Sequence, residues 1–468
     1  MKSLFSLILL IGIFTQPIAA QNNALSGKWE GQITVQGQQL KINTSFNQES
    51  GSYSGTIDIP QQMAMGLPLK NIEITQTDSV FFEFEAGPGS IASFKGMIKD
   101  DSRSEGTFHQ RGMQLPFELE RVQQNKPQPE NEPERAPAYN SEEMVIKNDS
   151  IAIGGTLTWP QNMQANQLVI MISGSGAQDR DESLPGVTSF RPFAELADSL
   201  TARGIATFRY DDRGVGQSTG NFADATLGML ASDVEAIINE FTNSSGQQFD
   251  EIVLLGHSQG GVVAGKVAAQ SPAVDKLILM ASTGVPLKEL LRFQIEQAFA
   301  PANVDSALVE KEITARENLM QAIANGENLE QAQETYRQRF IDIQIAAGMN
   351  PDQAEAVANR QVMQLTATFE TPQMQSLLFY DPTQDLQQLD IPVLVLFGGK
   401  DSQVPAGMNR PPIEQALNQA DAPHRIQVLE DANHLFQRAE TGQVQEYANL
   451  ESQFINSFIP LLDEWISK

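Results

Sequence analysis

Glu251-Ile252-Val253-Leu254-Leu255-Gly256-His257-Ser258-Gln259-Gly260-Gly261-Val262-Val263 is an apolar run, then a glycine-flanked serine, then a helical pattern continuing to Gln270. A continuous apolar stretch of this length reads as a buried parallel strand. The Gly256-x-Ser258-x-Gly260 turn between strand and helix has the form of a nucleophile elbow, in which a strained turn lifts a serine hydroxyl above the sheet edge. The same spacing recurs in Gly216-Gln217-Ser218-Thr219-Gly220, so spacing alone does not choose. Context does. Ser218 is separated from its nearest strand by the polar loop Asp211–Val215, whereas Ser258 follows a strand directly.

The neighbouring segments extend the pattern. Strands are expected at Met144–Lys147, Ile151–Trp159, Gln167–Ser173, Gly204–Tyr210, Glu251–Gly256, Lys276–Met280, Ile391–Phe397 and Arg425–Leu429. Helical patterns such as Phe193–Ala202 and Ala225–Phe241 lie between them, an alternation that makes an α/β fold with a mostly parallel sheet. A long helical insertion occupies about 287–378. Its last pattern, Asp352–Phe369, has Asn350 as N-cap and Pro351 at the first helical position.

A serine hydroxyl needs a base to take its proton. In this order of elements the acid and then the histidine follow the nucleophile along the chain. The chain has only four histidines. His109 lies in an earlier β-rich region, and His257 sits inside the elbow with its side chain expected to point elsewhere. His424 precedes its strand, at the N-terminal edge of the sheet. His434 follows that strand, at the edge where ligands gather, and is the expected base. Asp401, in Gly398-Gly399-Lys400-Asp401, ends the preceding strand at the same edge and is the expected orienting carboxylate; Asp385, Asp390 and Asp431 do not follow a strand at the right place. Backbone donors for a developing oxyanion are expected from Gln259, the residue after the nucleophile, and from the loop Gly174-Ser175-Gly176, with Ser175 preferred and Gly176 next. A phosphate-binding loop is the rival reading of those glycines, but no Gly-Lys-Ser/Thr follows.

Composition narrows the chemistry. Across 468 residues there is no cysteine, which excludes a thiol nucleophile, a disulfide framework, Cys-ligated zinc and a lipid-anchored N-terminal Cys. Acidic residues number 58 against 31 basic ones, a net charge of −27, unfavourable for nucleic acid and read otherwise as solubility. The length of 468 residues suggests two or three domains, and 41% hydrophobic residues is the composition of a folded chain. Residues 1–20 read as an export signal: Lys2, an apolar run from Leu4 to Phe14, then Ala19-Ala20, although Ile18 is large for a cleavage site. That run is too short for a bilayer of about 30 Å, and no later stretch is long enough to span one. The mature protein is therefore expected to be periplasmic or secreted.

Residues 24–122 alternate apolar and polar residues, as in Gln39–Ile42, Val80–Phe84 and Leu115–Leu119, with turn residues between. A small sandwich or up-and-down barrel is expected there. Gly27-Lys28-Trp29 resembles the Gly-x-Trp opening of lipocalin-like barrels. This accessory domain has three readings: a glycan contact, a lipid contact, or no ligand. Residues 123–140 are rich in Pro and Glu and lack Ile, Leu, Val and Phe, which reads as an extended linker; the second domain then runs over 141–468.

Over about 142–468 the chain resembles the α/β-hydrolase family, most closely a bacterial carboxylesterase group carrying a serine aminopeptidase-type hydrolase domain. The resemblance rests on Ser173–Asp181, Arg209–Ser218, Gly256–Gly261, Ile391–Asp401 and Asn433-His434. It implies a Ser258–Asp401–His434 triad, no metal or organic cofactor, a lid formed by 287–378, and a structural role for the Asp211-Asp212-Arg213 loop. Family members commonly have His-Gly where this chain has Ser173-Gly174, which keeps the second oxyanion donor open by one residue. Two main functions follow. One is an esterase acting on a small-molecule carboxylic ester through an acyl-enzyme. The other is an exopeptidase that would hold a substrate ammonium on lid carboxylates such as Glu310, Glu312, Glu317 or Glu334. A thioesterase and a non-catalytic binding protein are weaker alternatives: export removes the first from the CoA pool, and the second usually lacks a triad member.

Overall fold

The computed structural model describes residues 25–121 apart from 36–37, 50–51, 60–63, 76–78, 86–90, 101 and 111–112, and residues 139–468 apart from 162–164, 185–186, 245–248 and 300–303. The segment read as an export signal and residues 123–138 of the segment read as a linker lie outside the described residues. The described residues fall into two compact units, 25–121 and 139–468.

In the first unit eight strands run in chain order, β1 (Gly27–Val35), β2 (Gln38–Glu49), β3 (Ser52–Ile59), β4 (Ala64–Ile74), β5 (Ser79–Glu85), β6 (Ile91–Asp100), β7 (Arg103–Gln110) and β8 (Met113–Arg121). Each pairs antiparallel with the next, and β8 closes on β1 through Trp29–Ile33 and Phe117–Arg121. Of the two architectures expected, the up-and-down barrel is the one formed. The period-2 pattern sends Ile42, Thr44 and Phe46 inward. Aromatic rings fill the interior, with Phe94 at 4.7 Å from Phe82, 5.0 Å from Phe108 and 5.1 Å from Phe117. Trp29 is buried, donates Nε1–H to the Leu25 carbonyl at 2.8 Å, and lies under the Arg121 guanidinium.

The second unit holds an eight-stranded sheet made of β9 (Tyr139–Asn148), β10 (Ile151–Pro160), β11 (Gln167–Ile172), β12 (Ala206–Tyr210), β13 (Glu251–His257), β14 (Lys276–Met280), β15 (Val393–Gly398) and β16 (His424–Leu429). The spatial order is β9-β10-β12-β11-β13-β14-β15-β16. From β12 to β16 all pairs are parallel, whereas β10 is antiparallel to both β9 and β12. Chain order reverses at β11, which has β12 on one side and β13 on the other. The carboxyl ends of β11 and β13 therefore form a switch point, where such sheets bind ligands.

Eleven α-helices accompany the sheet among the described residues: α1 (Pro192–Thr201), α2 (Leu227–Asn239), α3 (Gln259–Gln270), α4 (Leu287–Phe299), α5 (Ser306–Asn325), α6 (Leu329–Ala346), α7 (Pro351–Phe369), α8 (Pro372–Leu377), α9 (Thr383–Leu386), α10 (Ala406–Gln419) and α11 (Phe458–Ile466). Central strands are buried on both faces. Leu168, Ile170 and Ile172 pack into the core shared with α2, α3 and α10, while Val169 and Met171 pack into the core shared with α1 and α11. The insertion between β14 and β15 has a core of its own, including Leu319, Tyr336, Phe340, Ala358 and Phe369. Asn350 caps α7 by accepting the Asp352 amide at 3.0 Å, with Pro351 in the first turn. No helix among the described residues is long and apolar enough to cross a membrane.

Candidate active site

Ser258 joins β13 to α3 with φ 52° and ψ −119°, a conformation side-chain-bearing residues adopt only when their surroundings impose it. Its amide donates to the Met280 carbonyl at 2.9 Å, and its carbonyl accepts from the Gly261 amide at 3.0 Å. The flanking glycines are required by contact. A Cβ on Gly256 would lie 2.3 Å from the Gly260 carbonyl oxygen, and one on Gly260 would lie 2.2 Å and 2.4 Å from the carbonyl oxygens of Ile172 and Ser173. The helix thus packs directly on the end of β11. Ser218 is different: its hydroxyl donates to the Asp211 carbonyl and accepts the Gly154 amide, tying a buried loop to β10.

His434 and Asp401 meet at the same sheet edge. The His434 Nδ1 lies 2.7 Å from Asp401 Oδ2, and both residues are buried. The other carboxylate oxygen, Oδ1, accepts the amides of Gln403 and Val404 at 2.8 and 2.9 Å. Burial pushes the Asp401 carboxyl up, but the His434 imidazole and then the two amides more than offset this, holding it below its ordinary value. The His434 loop is fixed by Asn433, whose Oδ1 accepts the amides of Leu435 and Gln437. The His257 ring, one residue from Ser258, lies 4.7 Å from the His434 ring. No hydrogen bond joins the Ser258 hydroxyl to His434 Nε2 among the described residues. His424 begins β16 at the opposite edge, with Nδ1 on the Ala422 carbonyl, and His109 belongs to β7 of the barrel. Asp385 is bonded by the Tyr380 hydroxyl and Asp431 is paired with Arg438.

The loop after β11 is tied down by the loop after β12. Asp212 Oδ2 accepts the Ser173 hydroxyl at 3.0 Å and the Gln178 amide at 2.9 Å. Asp211 takes the Arg180 amide and, through both carboxylate oxygens, its guanidinium. Arg213 pairs with Asp233 on α2 at 2.6 Å. All three side chains of the Asp-Asp-Arg loop are thus engaged with neighbouring segments. Burial pushes the Asp212 carboxyl up to about 7 despite the Gln178 and Ser173 hydrogen bonds. The Gly174 amide is taken by Glu182 Oε1 at 2.7 Å, whereas the amides of Ser175 and Gly176 donate to no acceptor among the described residues. Gln259 opens α3, where no preceding turn offers its amide a carbonyl. Ser175, Gly176 and Gln259 border a cavity of about 380 Å³ with Phe222, Ala223 and, from the insertion, Ala367, Thr368, Thr371, Gln373 and Met374.

Sequence reasoning missed one pair at this site. Glu182 and His257 are both buried, with Glu182 Oε1 2.7 Å from His257 Nδ1. The signal was present: a histidine inside a buried elbow needs partners for both ring nitrogens. Glu182, 75 residues earlier, carried no pattern that would select it. No cluster of three or more His, Asp or Glu among the described residues is arranged to hold a metal ion.

Residues 187–440 match the family model of serine aminopeptidase, S33. Esterase EstD of Thermotoga maritima is 24% identical over 306 residues, covering 64% of this chain and 62% of the relative. Protein phosphatase methylesterase 1 of Candida albicans is 34% identical over 86 residues, 18% of this chain and 23% of the relative. The match thus spans less than two thirds of the length of either relative. Among solved structures, the Pyrococcus furiosus esterase Pf2001 superposes with a TM-score of 0.41 at 11% identity, covering 70% of this chain and 89% of that one.

Proposed function

The chain belongs to the serine aminopeptidase S33 family of α/β-hydrolases, and from that premise we propose that it is an exported serine esterase. Ser258 attacks the carbonyl carbon of a small carboxylic ester while His434 Nε2 takes its proton. Asp401 holds the proton on His434 Nδ1 and stabilises the imidazolium that forms. The amides of Gln259 and Ser175 receive the oxyanion; because Glu182 takes the Gly174 amide, Ser175 is the first unbonded donor on that loop. His434 then protonates the departing alcohol, leaving the acyl group on Ser258, and activates the water that releases the acid and restores the hydroxyl. No cofactor is needed for these steps. The single observation that carries the reading is the strained Ser258 at one sheet edge with the buried His434–Asp401 pair. The esterase names of the two sequence relatives support the choice of substrate. Residues 1–20, read as a signal, support export, and α4–α8, whose residues 367–374 border the cavity beside Gln259, are read as a lid.

An exopeptidase would need a lid carboxylate free to hold an ammonium. Each of the four glutamates considered for that role already faces an arginine: Glu310 and Glu317 face Arg292, Glu312 faces Arg316 and Glu334 faces Arg337. A panel of p-nitrophenyl esters and aminoacyl-naphthylamides, run on the wild type and on Ser258→Ala, tests both readings. The expected result is ester turnover well above amide turnover, abolished in the variant. Ester turnover unchanged in Ser258→Ala would sink the proposal, and faster release from aminoacyl amides would replace it with the exopeptidase.

A further inference from the structure

We infer that Glu182 and His257 form a second acid–histidine pair, a buried ion pair that positions the oxyanion loop and the base histidine around Ser258. The inference rests on the serine-esterase reading of the site. Three parts of the machinery meet at these two side chains. Glu182 Oε1 accepts the Gly174 amide at 2.7 Å, which fixes the Ser173–Gly174 peptide, one peptide ahead of the Ser175 amide. The same oxygen lies 2.7 Å from His257 Nδ1. On the far side of the ring, His257 Nε2 lies 3.1 Å from the main-chain carbonyl oxygen of His434. His257 itself is the residue before the nucleophile.

The hydrogen-bond inventory sets the protonation state. A carbonyl oxygen can only accept, so His257 Nε2 must carry a proton; in the ion pair we infer, the Glu182 carboxylate can only accept, so Nδ1 carries one too. The ring facing these partners is an imidazolium. Glu182 Oε2 is buried without a partner among the described residues, so the Gly174 amide and His257 Nδ1, both on Oε1, are the contacts that hold this carboxyl group there. Among the other titratable groups near the pair are His434 and Asp401 by the ring, the latter already hydrogen-bonded to His434, and the buried Asp212, which interacts with Glu182. Burial lowers the proton affinity of His257, but the charge and hydrogen bond of Glu182, then the His434 carbonyl and Asp401, raise it above the ordinary histidine value. Glu182 is also held at φ 56°, a left-handed backbone conformation uncommon for a residue with a side chain. The pair is a positioning device: it touches no reacting atom, but moving it displaces Ser175 and His434 together.

Four histidines make the test direct. In a pH titration of full-length protein labelled with ¹⁵N-histidine, one ring should retain protons on both nitrogens above the ordinary histidine value of about 6.5. That signal should vanish in Glu182→Gln and in His257→Asn. Glu182→Gln should lower kcat for a short ester about 10- to 100-fold with KM within about threefold, as expected for misplacement of reacting groups rather than loss of binding. Four rings already neutral just above the ordinary histidine value in the wild type would overturn the inference without any variant having to fold. Wild-type kcat in both variants, with Ser258→Ala inactive, would also overturn it. Turnover surviving in Ser258→Ala would instead overturn the esterase reading, while the proton on His257 would still be decided by the spectrum.

Discussion

At Asp401 the difference between a carboxylate and an amide is a matter of one proton. Oδ2 faces His434 Nδ1 at 2.7 Å, and Oδ1 is occupied by two amides. In Asp401→Asn the amide oxygen would keep the Gln403 and Val404 bonds, so its NH₂ would face Nδ1 and drive the His434 proton to Nε2. The base would then have no lone pair toward Ser258. Steady-state kinetics should show kcat reduced about 10³- to 10⁴-fold with folding intact. The same substitution has a stability signature. The Asp401 carboxyl is held below its ordinary value, so it stabilises the fold at pH above its unfolded value and loses that contribution as pH falls through the folded value. The stability gap between wild type and Asp401→Asn should therefore be full at neutral pH and close below about pH 4, read from melting temperatures. Ser258, His434 and Asp401 could be picked out in the sequence because each ends or follows a strand at a definable edge. Glu182 could not: its partner is chosen by tertiary packing, and nothing local to Asp179-Arg180-Asp181-Glu182-Ser183 marks it as buried.

Between elements, the loop after β11 is shaped by the loop after β12, and Asp212 is the hinge of that contact. Its carboxyl is pushed up to about 7 by burial, so between its unfolded value and about 7 the folded state holds a proton that the unfolded chain has lost. Stability should fall as pH rises through that window. Asp212→Asn, which can still accept from Ser173 and Gln178, should flatten the decline in melting temperature between about pH 4 and pH 7. A decline as steep as that of the wild type would place the proton elsewhere. The insertion makes a different kind of claim. Ala367 borders the cavity beside Gln259 and Ser175, so on the reading of α4–α8 as a lid, Ala367→Trp should shorten the acyl chain accepted. The ratio of kcat/KM for a decanoyl ester to that for an acetyl ester should fall at least about 10-fold. The ordered strands and most helices were legible because buried parallel strands are unbroken apolar runs, and α7 was marked by its Asn350 cap and Pro351. Helix α10 was less so, since Pro411 and Pro412 sit inside it and remove the amides that a pattern reading relies on.

Across the whole molecule, the described residues form two units, each with its own core. All the residues assigned to the reaction, Ser258, His434, Asp401, Gln259 and Ser175, lie in 139–468, and the barrel contributes none. The stretch read from its composition as a linker has no Ile, Leu, Val or Phe and holds Glu130, Glu132 and Glu134, so on that reading it is where a protease is expected to act first. Glutamyl endopeptidase should therefore cut after Glu130 or Glu134 before it degrades either unit, while Glu132 is protected by Pro133. The cut protein should keep its kcat/KM on a short, water-soluble ester within about threefold, because no group that reacts or positions has been removed. Esters presented on a glycan or in a lipid dispersion make the discriminating comparison. Inside the barrel, Phe94 packs against Phe82, Phe108 and Phe117. A selective loss of turnover on one of those substrates after cleavage and separation would assign the barrel a carrier role. Equal turnover on all three would leave it a structural partner of an enzyme complete within 139–468. Loss of activity on the short ester would contradict the assignment of the whole catalytic apparatus to the second unit.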